Sequence, residues 1–198
     1  MVETIVPVVH GDSRRRYVAS VALHTLGATL AAGAFGALLG GIGLLLGAPW
    51  GLAGAALVAV LSLIYAAREG IGLRVPLPCR RRQVPQWWRT FFSPPVAAFL
   101  YGLGLGVGFL SFLTYGTYVA VSMAALAIGD PGLGALLLAP FGLARGVSVL
   151  LAARTSTSEG AAAVVDRLES VGQTRFPRML NASALAGLAA IAVLGLVS

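Results

Sequence analysis

YVASVALHTLGATLAAGAFGALLGGIGLLLGAP, residues 17–49, holds no charged side chain and a single histidine, His24. A hydrocarbon core of about 30 Å takes about 20 helical residues to cross. This stretch therefore spans the core with strong tilt or projects a turn beyond it. Runs of the same kind follow at 50–67, 96–129, 131–153 and 179–197. There is no lysine, and 13 of the 14 arginines lie outside the five runs. With 58% apolar residues and a mean hydropathy of +0.87, the chain exceeds what a water-soluble globule carries. The fold class expected is an all-α integral membrane protein. It reads as a five-helix transmembrane bundle with a long kinked third helix, preceded by a cytoplasmic flank over 1–16 and forming a single domain over 17–198.

The arginines set the expected orientation. Arg14, Arg15 and Arg16 precede the first run, six arginines fill the 68–95 connection, and Arg154, Arg167, Arg175 and Arg178 fill the 154–178 connection. The turns near Gly47–Pro49 and Asp130–Pro131 carry none. Because cytoplasmic loops retain Arg and Lys, a cytoplasmic N-terminus and an external C-terminus put every loop arginine inside. The expected location is a bacterial-type inner (plasma) membrane, multi-pass. The net charge of +7 is accounted for by this placement and gives no reason to invoke nucleic acid. Ser13-Arg14-Arg15-Arg16 is similar to a twin-arginine export signal, but the long run and the four after it favour a cytoplasmic flank.

The third run, 96–129, would be about 50 Å long as one helix. Gly102, Gly104, Gly106 and Gly108 fall at every second position, and the polar stretch Ser111, Thr114, Tyr115, Gly116, Thr117 and Tyr118 comes next. Irregular backbone at membrane depth persists only where protein or a cavity covers it. Two readings stand: a solute site of the kind made by discontinuous helices, or hydroxyl hydrogen bonds between closely packed helices. In the first run Gly36 and Gly40, with Gly43 and Gly47, have the spacing of a helix-packing stripe. Trp50, Trp87 and Trp88 are interfacial anchors. Residues 158–171 read as a short amphipathic helix on the membrane surface.

Two ionisable residues lie well inside runs. Arg145 is a site or a snorkelling anchor, and His24 is a packed histidine or faces a pathway. The functional version has both lining one polar cavity open to the cytoplasm, with Ser111, Thr114, Tyr115 and Tyr118 as further candidates. Cys79, the one cysteine, lies beside Arg80, Arg81 and Arg82; it is incidental or a redox thiol of lowered pKa. No carboxylate pair lies within a run and no HExxH, GxSxG or P-loop sequence is present, so no catalytic residue, metal site or cofactor is assigned.

Ala98-Phe99-Leu100-Tyr101-Gly102-Leu103-Gly104, Gly106-Val107-Gly108-Phe109, Gly134-Ala135-Leu136-Leu137-Leu138 and Phe141-Gly142-Leu143 resemble the second half of the CcdA/DsbD family of membrane thiol-disulfide transporters. That resemblance implies an inverted-repeat bundle and a role near cytochrome c maturation. The chain lacks the family's redox cysteines, and its first span is missing from the match. The expectation is therefore a non-catalytic CcdA-like subunit that packs with another membrane or extracytoplasmic protein or a second copy of itself. The alternative is a small-solute or ion transporter using the broken third run and Arg145.

Overall fold

The computed structural model describes residues 14–78, 88–110, 113, 115–152 and 158–197. Among them every regular element is helical: α1 (Arg14–Leu45), α2 (Gly51–Ile71), α3 (Trp88–Phe91), α4 (Pro94–Gly106), α5 (Thr117–Ile128), α6 (Pro131–Val147), α7 (Ser158–Gly172) and α8 (Arg175–Val197). Short 3₁₀ turns cover Gly108–Leu110 and Ser148–Ala152. Four stretches are long and apolar enough to cross a membrane: Arg15–Leu45, Gly51–Ile71, Pro131–Leu151 and Arg175–Gly195. Large apolar side chains cover their outer surfaces, among them Leu45, Leu52, Leu136, Ile191 and Leu194, all more than 60% exposed. In water such a surface would aggregate; in lipid it is the solvated face. The chain is a multi-pass membrane protein in a lipid bilayer.

Of the kinked and broken forms that the sequence left open for the third apolar run, the structure has the broken one. α4 ends at Gly106, Val107 is extended (φ −77°, ψ 94°), and α5 begins only at Thr117. At 13 and 12 residues, the two helices are about 20 and 18 Å long, each short of the hydrocarbon core. Glycine costs a helix interior about 1 kcal/mol against alanine, so the alternating glycines at 102–108 leave little propensity to carry a helix through. Among the described residues, four helical stretches rather than five are long and apolar enough to cross alone.

Two compact units are formed, one from Met1–Ala32, Arg80–Ser111 and Ala139–Val171, the other from Gly33–Cys79, Phe112–Leu138 and Gly172–Ser198. In the first, the N-terminal half of α1 packs backbone to backbone. A Cβ on Gly102 would sit 2.1 Å from the His24 carbonyl oxygen, and one on Gly106 or Gly142 would sit 2.2 Å from that of Ala28. Gly146 lies against Thr25 in the same way. α4 and α6 each present two small residues one turn apart to α1, the spacing that lets membrane helices approach closely. Neither Gly142 nor Gly146 was read from the sequence as a packing residue.

In the second unit Gly36 and Gly40 of α1 meet the start of α6. A Cβ on Gly36 would lie 2.0 Å from the Gly134 carbonyl oxygen, and one on Gly40 would lie 2.3 Å from that of Asp130. α2 packs along α8 and against α5, with Tyr65, Ala120 and Leu185 buried between them. α2 runs to Ile71 rather than ending at 67 and is closed by Gly72 in the left-handed region (φ 77°), whose N–H bonds the Ala67 carbonyl. That glycine ending is a common helix stop, because φ > 0 carries no Cβ penalty there. The extension carries Arg68 and Glu69 into the helix, and this positions the site.

Candidate functional site

Ser62, Tyr65 and Glu69 recur on α2 at helical spacing, and all three are buried. Glu69 is a carboxylate with a side chain only 2% exposed at the end of an apolar helix. An isolated carboxylate there would be very costly, so its partners define the site. Arg68 Nη1 pairs with Glu69 Oε1, while Arg68 Nε donates to the Val75 carbonyl at 2.9 Å. From α8, Arg178 approaches Glu69 Oε2 at 3.8 Å through Nε and donates from Nη2 to the Arg68 carbonyl at 3.2 Å. That last bond satisfies one of the α2 carbonyls left without an intrahelical partner, and it places a cation at the negative end of the helix.

The segment 72–76 folds back over this cluster. Tyr65 Oη donates to the Pro76 carbonyl at 3.4 Å. Arg68, Gly72, Leu73, Arg74, Val75, Pro76 and Arg178 line an open cleft of about 360 Å³. Beside it, Tyr115 Oη donates to the Gly172 carbonyl at 2.7 Å, and Thr117 hydrogen bonds Asn181 across α5 and α8. The cleft thus presents three guanidiniums over a single carboxylate. Chemically it can hold an anion.

Sequence reasoning placed Glu69 outside the membrane segment and missed it. The available signals were the Gly72 stop and the i, i+3, i+7 register of Ser62, Tyr65 and Glu69.

The sequence candidates are distributed differently. His24, in the first unit, is 1% exposed; its Nδ1 donates to the Ala98 carbonyl at 3.0 Å, and its Nε2 has no hydrogen-bond partner among the described residues. Arg145, in the same unit, is half-buried. Its Nη1 donates to the Leu105 carbonyl at 3.4 Å, and its guanidinium lies over the Phe141 ring at 5.3 Å. Leu105 is in the last turn of α4, so Arg145 neutralises carbonyls that the break leaves without helical partners.

Tyr115 and Tyr118 belong to the other unit. Tyr118 is buried and stacks on Phe35 at 6.4 Å. Gly102 and Gly106 abut α1, while Gly104 and Gly108 are respectively half-buried and buried. Trp50 and Trp88 are half-buried. Trp50 Nε1 donates to the Leu46 carbonyl at 3.3 Å, and Trp88 packs on Tyr101 at 5.7 Å. Ser111, Thr114, Trp87 and Cys79 lie outside the described residues.

The chain is similar to the methylamine utilization protein MauF of Paracoccus versutus, 39% identical over 132 residues, which is 65% of this chain and 48% of that protein. MauF of Paracoccus denitrificans is 35% identical over 130 residues, 65% and 47% of the two chains. MauF of Methylophilus methylotrophus is 32% identical over 131 residues, 66% and 46%. The chain spans about half the length of the curated relatives it matches. No family model matches, and no solved structure matches.

These relatives correct the resemblance to the CcdA/DsbD family and the cytochrome c maturation role drawn from it: relatives at this identity carry the name MauF. Glycine and aliphatic spacing is what any tightly packed helix bundle in lipid requires. It therefore recurs without marking a family.

Proposed function

We propose that this chain is an integral membrane accessory protein of methylamine utilisation, acting as a non-catalytic subunit beside another membrane or extracytoplasmic protein. The observation that carries the reading is the similarity to MauF proteins over about two thirds of the chain. The bundle supports it. Its close contacts are glycine to backbone, its buried carboxylate Glu69 is paired with two partly exposed arginines, and its outer faces are apolar. Such a construction holds a scaffold in lipid and presents surfaces for a second chain. A bacterial inner membrane fits the arginine-rich connections.

The test is genetic and then biochemical. Deleting the gene from its host is expected to abolish growth on methylamine as sole carbon source while growth on succinate is unchanged. Equal growth of the deletion strain on methylamine would overturn the assignment. Purification in mild detergent is expected to bring down a second protein in fixed ratio, whereas a stable monomer that restores function alone would remove the subunit role.

A further inference from the structure

We propose that the cleft at the joined ends of α2 and α8 is a binding site for a phosphate group, supplied by the headgroup of an anionic phospholipid. The case begins with charge. Arg68, Arg74 and Arg178 line the cleft, and among the described residues Glu69 is the one carboxylate paired with them, buried beneath. The excess is positive, at the edge of an apolar span, where an uncompensated cation attracts an anion from the headgroup layer.

Geometry makes this more than a basic patch. Hydrogen bonds to protein occupy Nε and Nη1 of Arg68 and Nη2 of Arg178, whose Nε faces Glu69 Oε2 as an ion pair at 3.8 Å. Each guanidinium is therefore held in place while keeping one nitrogen for a ligand. Their side chains are 25% and 36% exposed, open enough to be reached from the cleft. Arg74 is exposed and makes no hydrogen bond or ion pair among the described residues. Fixed planar guanidiniums suit the paired oxygens of a phosphate better than flexible ammonium groups would, and preorganisation lowers the entropy lost on binding.

The surroundings favour a lipid as the source of that phosphate. Ile71 and Leu73, at the mouth, are 82% and 48% exposed, and Phe176, Met179 and Leu180 at the start of α8 are 78%, 51% and 63% exposed. An acyl chain would cover such side chains, which free phosphate would leave bare.

The experiment uses the full chain in an uncharged detergent. Retained lipid is read by native mass spectrometry and thermal stability by intrinsic fluorescence, with phosphatidylglycerol, phosphatidylcholine or inorganic phosphate added. Phosphatidylglycerol is expected to be retained in preference to phosphatidylcholine and to raise the melting midpoint. Arg74→Gln, which leaves the internal ion pairs intact, is expected to weaken that retention about fivefold without lowering the lipid-free midpoint, since one surface arginine contributes about that factor. Stabilisation by inorganic phosphate as large as that by the lipid would keep the site and assign it to a soluble phosphate. Equal retention of the two lipids with no effect of inorganic phosphate, or unchanged selectivity in Arg74→Gln, would overturn the proposal.

Discussion

Gly36→Leu is expected to abolish accumulation of the folded protein in the membrane. A Cβ at position 36 would stand 2.0 Å from the Gly134 carbonyl oxygen, and one at Gly134 would stand 2.2 Å from the Gly36 carbonyl oxygen. The clash is with backbone on both sides, so no rotamer change relieves it. α1 and α6 would have to separate by more than 1 Å, losing the dispersion contacts and weak Cα–H···O bonds that hold helices together in lipid. Gly36→Ala introduces the same Cβ and is expected to lower stability by several kcal/mol, at the high end of single substitutions. Gly41 is the internal control. It lies on the same helix with nothing within 4 Å of its Cβ position, so Gly41→Ala is expected to be neutral or stabilising by up to about 1 kcal/mol. Thermal unfolding in detergent and membrane-fraction yield check both; equal behaviour of Gly36→Ala and Gly41→Ala would refute the packing account.

Glu69→Ala is the second large effect. Removing the carboxylate leaves Arg68 and Arg178 facing each other at the end of α2 without their shared counter-charge. Breaking a buried pair by deleting one partner costs about 3–5 kcal/mol. The partly exposed guanidiniums recover some hydration, so a loss of about 3 kcal/mol is expected. The double variant with Arg178→Met is expected to be more stable than the two single losses added together, because the first change removes part of what the second disrupts. Strict additivity would mean that Glu69 and Arg178 do not interact, and the cluster would then be a coincidence of placement. Glu69→Gln, which keeps the shape and some hydrogen bonding, is expected to fall between wild type and Glu69→Ala.

What the sequence made legible follows from which forces act locally. Length and hydropathy bring out α1, α2, α6 and α8, because the thickness of the bilayer sets their minimum length. Gly36 and Gly40 have the spacing at which small residues let backbones touch. The break was harder to place. Alternating glycines announce a weak helix, but where α4 stops depends on Val107 turning to extended geometry and on Arg145 reaching the Leu105 carbonyl, a pairing across 40 residues of sequence.

Glu69 was missed for the opposite reason. Charge beside an apolar run reads as a solvated flank, and the Gly72 helix stop with the register of Ser62, Tyr65 and Glu69 shows that the helix continues past it. His24 shows the same dependence on context: its Nδ1 bond to the Ala98 carbonyl comes from a residue on a different helix, one that no periodicity in α1 points to.

The most direct test of the account is the sidedness of two positions in the second unit. α2 spans about 31 Å over its 21 residues. Trp50, at its start, donates its backbone N–H to Ala127 beside the Gly129–Asp130 turn, while Arg74 follows its other end. Single cysteines at Asp130 and Arg74, each introduced into a Cys79→Ser background, can be labelled in intact cells with a membrane-impermeant maleimide. The structure requires Asp130→Cys and Arg74→Cys to react from opposite sides of the bilayer. Labelling of both from the same side would contradict the membrane-spanning arrangement of α2, and with it the cleft and the subunit role built on it.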